Sequence, residues 1–207
     1  MKALRYLALG DSYTIGTGAS SEANNYPSIL AERLSQATGA KVAVTNPAVN
    51  GFTTRDLIDN ELPFVDRLKP QLVTILIGVN DIVQGHSIES YRKSVATIYD
   101  ALAALELAPG QVVTISIPNW SVVPAASGFG DPGRLRHLTD DFNGLAHAEA
   151  GKRGFVWIDV TAVSTSGLGT PGWISSDQLH PGDIQYAAWA NVIWGEVREA
   201  WTAAADA

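Results

Sequence analysis

The 207-residue chain has no cysteine, which excludes disulfides and thiolate metal sites and leaves its four histidines and its carboxylates as the only strong metal ligands. Charge is also scarce: Asp, Glu, Lys and Arg make up 17% of the residues, against a usual share of about 25%. Basic residues are the rarer sign, 14 against 21 acidic, for a formal net charge of −7, and they form no cluster. Such a surface cannot neutralise a row of phosphates, so sequence-independent nucleic-acid binding is excluded. Long hydrophobic runs are absent as well. None approaches the ~18 residues of a membrane span, and the apolar stretch after Lys2 and Arg5 stops at Gly10-Asp11, too short for the core of a signal peptide. The expectation is a cytoplasmic protein, a monomer by default, or a secreted one if a leader has been removed.

What the chain does have is apolar residues, 46% of the total, enough to bury a large core and to exclude disorder. Its length suits one domain, 1–207. Short apolar runs rich in β-branched residues recur at Leu4–Leu9, Val42–Thr45, Leu72–Ile77, Val112–Ile117 and Phe155–Val160. Continuous rather than alternating hydrophobicity suits strands covered on both faces of a parallel sheet. Between them lie helical stripes, clearest at Ile88, Tyr91, Val95, Ile98, Leu102 and Leu105. A last helix would bury Ile184, Ala188, Trp189, Ile193, Val197 and Trp201, and the alanine-rich tail beyond it is expected to fray. Pro27 and Pro181 suit first helical turns, and Gly39, Gly110 and Gly154 suit helix ends. Five β/α repeats predict an α/β doubly wound sheet with helices on both faces.

Three connections after strands are long: Gly10–Asn25, Pro118–Pro132 and Thr161–Gln178. In open α/β sheets the carboxyl ends of the strands carry the ligand sites, so these loops should frame one. Ser12 follows the first strand in Gly10-Asp11-Ser12, where it can offer a hydroxyl and an amide to one carbonyl, or simply cap a turn. Asp177-Gln178-Leu179-His180-Pro181 places a carboxylate three residues before an imidazole, close enough to fix its tautomer. Asn50-Gly51 and Gly78-Val79-Asn80-Asp81 close the second and third strands, with donors suited to an oxyanion or to ordinary turns.

Taken together and in this order, Ser12, Gly51, Asn80 and His180 resemble the four sequence blocks of the SGNH or GDSL hydrolases, from Gly10 to Pro181. That resemblance implies a flavodoxin-like three-layer α/β/α sandwich with a five-stranded parallel sheet. It further implies Ser12 as nucleophile, His180 as base and then acid, Asp177 as its orienting partner, and an oxyanion hole from the Ser12 and Gly51 amides and the Asn80 side chain. No cofactor or metal is implied. The substrate would be a small-molecule ester; lipid esters, thioesters and acetylated sugars all fall within the family, and short acyl chains are expected because no apolar lid is evident. Tyr13 replaces the leucine of the signature, which bears on substrate preference. Asp11 and Tyr13 beside the nucleophile, and Trp120, Phe129 and Trp173 in the long loops, are the candidate substrate-binding residues.

Two other readings compete. A nucleotide- or flavin-binding module would use Gly16-Thr17-Gly18 or the G-x-G-x-x-G match at Gly167–Gly172, but the first lacks a third glycine, and the second contains Pro171 and opens no helix. A non-catalytic glycan-binding relative would lack one of the candidate residues, and none is lacking. His86, His137 and His147 have no paired ligands at a useful spacing and are expected on exposed helix or loop positions.

Overall fold

A computed structural model describes residues 3–206. The five apolar runs form β1 (Leu4–Gly10), β2 (Val42–Thr45), β3 (Leu72–Leu76), β4 (Val112–Ile115) and β5 (Val156–Ile158). All neighbours pair in parallel in the order β2-β1-β3-β4-β5, the flavodoxin-like arrangement. Central β3 and β4 are buried at every residue, whereas the edges β2 and β5 are largely half-exposed. That gradient explains why the central strands are unbroken Val, Ile, Leu and Thr, with Thr74 taking the hydroxyl of Tyr6 at 2.8 Å.

The helices are α1 (Ser12–Ile15), α2 (Tyr26–Thr38), α3 (Thr54–Asn60), α4 (Pro63–Leu68), α5 (Val79–Val83), α6 (Ile88–Ala103), α7 (Pro132–Lys152), α8 (Thr161–Thr165) and α9 (Asp183–Asp206). One outer layer is built on the packing of α2 against α9, the other on α6 against α3 and α7. In α6 the stripe Tyr91, Val95, Ile98 and Leu102 is buried as its spacing predicts, while Ile88 in the first turn is exposed. Asn25 caps α2 by accepting the Ser28 amide at 2.8 Å, and Pro27 sits in its first turn.

Several local expectations are corrected. Pro181 precedes α9 and bridges to Ile174 instead of opening the helix. Ile184 is exposed, and Gln185 and Tyr186 take the buried positions of that turn. The tail stays helical to Asp206, with Ala204 and Ala205 against the core. It is anchored by Trp201, whose ring meets Tyr6 edge-on at 5.1 Å and whose indole donates to the Gly110 carbonyl at 3.0 Å. The three long connections are not plain loops: they contain α1, α8 and single 3₁₀ turns at Glu22–Asn24, Trp120–Val122 and Pro124–Gly128. One turn of helix is too short to leave a period in a sequence. No helix among the described residues is long and apolar enough to cross a membrane.

Candidate active site

Ser12 opens α1 immediately beyond the end of β1 and is 5% exposed. The turn is forced by its neighbours. Gly10 has φ +153°, and a methyl group there would collide with the Leu76 carbonyl and the Thr14 hydroxyl, so only glycine lets the chain leave the strand this abruptly. Asp11 then caps α1, its Oδ1 accepting the Tyr13 amide at 3.0 Å. As the first residue of α1, Ser12 keeps an amide with no intrahelical acceptor.

Asp177 and His180 lie on a tight loop closed by the Ile174–Pro181 bridge and by the Ser175 amide donating to the His180 carbonyl at 2.9 Å. Gln178 at the bend has φ +62°, a conformation unusual for a residue with a side chain and held here by its surroundings. Asp177 Oδ2 is 2.6 Å from His180 Nδ1, while its Oδ1 accepts the Ser175 hydroxyl at 2.6 Å and the Leu179 and His180 amides at 2.9 Å each. Partial burial works against ionisation of Asp177, but the Ser175 hydroxyl, the two amides and the imidazole outweigh it and hold the carboxyl well below the usual range. The arrangement leaves His180 Nε2 as the free ring nitrogen. The His180 ring sits edge-on to Tyr13 at 5.8 Å, and Tyr13 in turn rests on Trp189 at 5.7 Å.

Asn80 lies in the first turn of α5, and its Nδ2 donates to the Phe52 carbonyl at 2.9 Å. A side-chain amide has a second N–H to offer. That bond ties α5 to the segment holding Gly51, which has φ +84° with open space where a side chain would stand. The same segment is held to the loop after Ser12 by Thr17 Oγ1 donating to Asn50 Oδ1. Asp81 completes the join by accepting the Thr54 amide at 2.9 Å and the Thr54 hydroxyl at 2.7 Å.

Ser12, Asn80 and His180 line one small pocket of about 60 Å³ with Tyr13, Trp120, Phe129 and Leu179, and with Val79 and Val83. Trp120 is fixed by its indole donating to Thr139 at 3.1 Å, and Phe129, 45% exposed, meets it edge-on at 5.8 Å. Gly51 is outside this lining. Asp11 and Trp173, expected to contact substrate, are outside it too: Asp11 is fully buried beneath the Ser12 turn, and Trp173 packs on Gly167 and donates to the Ser164 carbonyl at 2.9 Å. That packing accounts for Gly167, while Gly169 and Gly172 have the positive φ of turns. His137 and His147 are exposed, His147 stacked on Trp157. His86 departs from expectation: it is half-buried, with Nδ1 3.1 Å from Asp81. Sequence reading missed Val79, Val83 and Leu179, which carry no signal beyond being apolar, and Glu61, which is wholly buried and accepts the Gly10 amide at 2.9 Å. Among the described residues no three His, Asp or Glu side chains converge as a metal-binding group.

Residues 8–188 match the model of the GDSL-like lipase/acylhydrolase family. A GDSL-like esterase of Mycobacterium tuberculosis, Rv1075c, is 26% identical over 209 residues covering 97% of this chain; the chain spans 63% of that relative's length. Among solved structures, TesA superposes with a TM-score of 0.71 at 22% identity over 92% of this chain and 96% of its own. Axe2, an acetylxylan esterase from Geobacillus stearothermophilus, gives 0.75 at 19% identity over 97% and 96%. At such identities the structural likeness speaks for the fold, and function has to be argued from the site.

Proposed function

The chain belongs to the GDSL-like lipase/acylhydrolase family, and from that premise we propose that it is a serine esterase that cleaves carboxylic esters of short acyl chains through an acyl-enzyme on Ser12. The observation that carries the reading is the 2.6 Å contact of Asp177 with His180 Nδ1, with the same imidazole lining a pocket beside Ser12 and Asn80. With Nδ1–H committed to Asp177, His180 Nε2 takes the Ser12 proton as Oγ attacks the ester carbonyl. The resulting oxyanion accepts from the Ser12 and Gly51 amides and from the second N–H of Asn80. Collapse expels the alcohol, protonated by His180. Water then attacks the acyl-enzyme by the same route and regenerates Ser12.

Short acyl groups suit a small pocket walled beside Ser12 by the buried Tyr13 and Trp120 rings and by Phe129.

The test is hydrolysis of p-nitrophenyl esters from acetate to palmitate by the wild type and by Ser12→Ala. Activity that falls with chain length and vanishes in Ser12→Ala is the expected result. A folded wild type that cleaves none of the series overturns the reading.

A further inference from the structure

Two carboxyls with no exposed surface grip the turn that carries Ser12. Glu61, at the end of α3, accepts the Gly10 amide through Oε2 at 2.9 Å, and Asp11 accepts the Tyr13 amide through Oδ1 at 3.0 Å. The other oxygen of each, Glu61 Oε1 and Asp11 Oδ2, is buried without a hydrogen-bond partner; among the described residues only Trp189 Nε1 shares that condition. The titratable groups around the two are Asp81 of α5, Tyr13 of α1, Tyr26 of α2, Tyr91 of α6 and Tyr186 of α9. All are acids. The nearby His86 is committed to Asp81, so no cation answers either carboxyl.

A buried carboxylate with an unsatisfied oxygen is costly, and two in contact with adjoining peptides cannot both ionise in a low-dielectric interior. We propose that Asp11 and Glu61 are both held protonated behind the turn and that the pair, with Glu61 as the positioning residue, sets the backbone that presents Ser12. Burial pushes Asp11 up to about 7, with the Asp81 charge adding to the effect, and pushes Glu61 up to about 8, with the Asp11 charge adding. The pair titrates as a unit. When its last proton leaves, repulsion acts directly on the Gly10–Tyr13 backbone. The inference rests on Ser12 being the nucleophile, and its consequence is an alkaline loss of turnover that originates behind the site, not in the pocket.

The experiment measures kcat and KM on p-nitrophenyl acetate from pH 6 to 10 for the wild type, Glu61→Gln and Glu61→Leu, with carboxyl ¹³C NMR titration of the wild type and Glu61→Gln alongside. Glutamine can accept from Gly10 as the protonated Glu61 does and carries no charge at any pH, so Glu61→Gln is expected within about threefold of wild-type kcat at pH 7 and to hold that value at alkaline pH where the wild type declines. Leucine leaves the Gly10 amide unanswered, and a displacement of the nucleophile of even 1 Å is worth about 10²-fold in kcat with KM little changed. Alkaline limbs that coincide in wild type and Glu61→Gln overturn the proposal, as does an ¹³C titration showing both carboxyls ionised at pH 5. If the wild type cleaves no ester, the esterase reading fails by itself and the NMR titration still decides whether the two carboxyls are held protonated.

Discussion

Replacing Asp177 by Asn separates the chemistry of the Asp177–His180 pair from its architecture. An asparagine Oδ1 can go on accepting from the Ser175 hydroxyl and from the Leu179 and His180 amides, so the loop that ends in the Ile174–Pro181 bridge keeps its internal bonds. At the other oxygen the substitution inverts a role. An N–H would stand 2.6 Å from His180 Nδ1, where two donors cannot face each other, so the imidazole turns to the tautomer protonated on Nε2 and loses the lone pair that would receive the Ser12 proton. In serine hydrolases with a Ser-His-Asp triad this exchange lowers kcat by about 10⁴-fold, or about 5 kcal/mol of barrier. Asp177 is outside the pocket lining, so KM should stay within about threefold. Stability should hardly change, since the Asp177 side chain is 41% exposed and an exposed ion pair contributes at most about 1 kcal/mol. Initial rates on p-nitrophenyl acetate, with a urea melt of both proteins, check all three. A variant that folds and retains more than a tenth of wild-type kcat refutes the role given to Asp177.

Asn80→Ala removes one proposed oxyanion donor and should lower kcat by about 10²- to 10³-fold, measured on the same ester; because it also frees the Phe52 carbonyl, a change in melting temperature will accompany it. Trp201→Ala deletes a fully buried ring, its edge contact with Tyr6 and the bond to Gly110, and should cost about 3–5 kcal/mol in urea unfolding. Stability should fall between pH 5 and pH 8. Glu61 and Asp11, raised to about 8 and about 7, hold protons that an unfolded chain releases near pH 4, so the native state binds more protons across that window and loses stability as pH rises through it. Asp177 acts in the opposite sense, its depressed pKa stabilising the fold above pH 4 and ceasing to do so as pH falls below. A urea midpoint that climbs from pH 5 to pH 8 would contradict the burial of an uncompensated carboxyl pair.

What could be read from the sequence, and what could not, divides along the range of the interactions. Strands and long helices carry their own period, so Leu72–Leu76 and the α6 stripe were visible without partners. The Asp177–His180 pair was visible too, because three residues on a tight loop keep a carboxylate and an imidazole in contact whatever surrounds them. Ser12 and Asn80 were legible only through the resemblance of their flanking glycines to a family pattern, since a serine after a strand and an asparagine before a helix have common structural uses. Glu61 was not legible at all. It reaches Gly10 across 51 residues of sequence, and a glutamate between two short helices looks like surface until the fold closes over it. The same holds for Trp173: its place in a glycine-rich loop suggested a pocket wall, whereas its indole bond to Ser164 and its packing on Gly167 turn it inward. Long-range burial decides which polar side chains are held and which are free, and in this chain it puts Glu61 behind the Ser12 turn while leaving Phe129 as the exposed aromatic ring of the pocket wall, with Tyr13 and Trp120 buried.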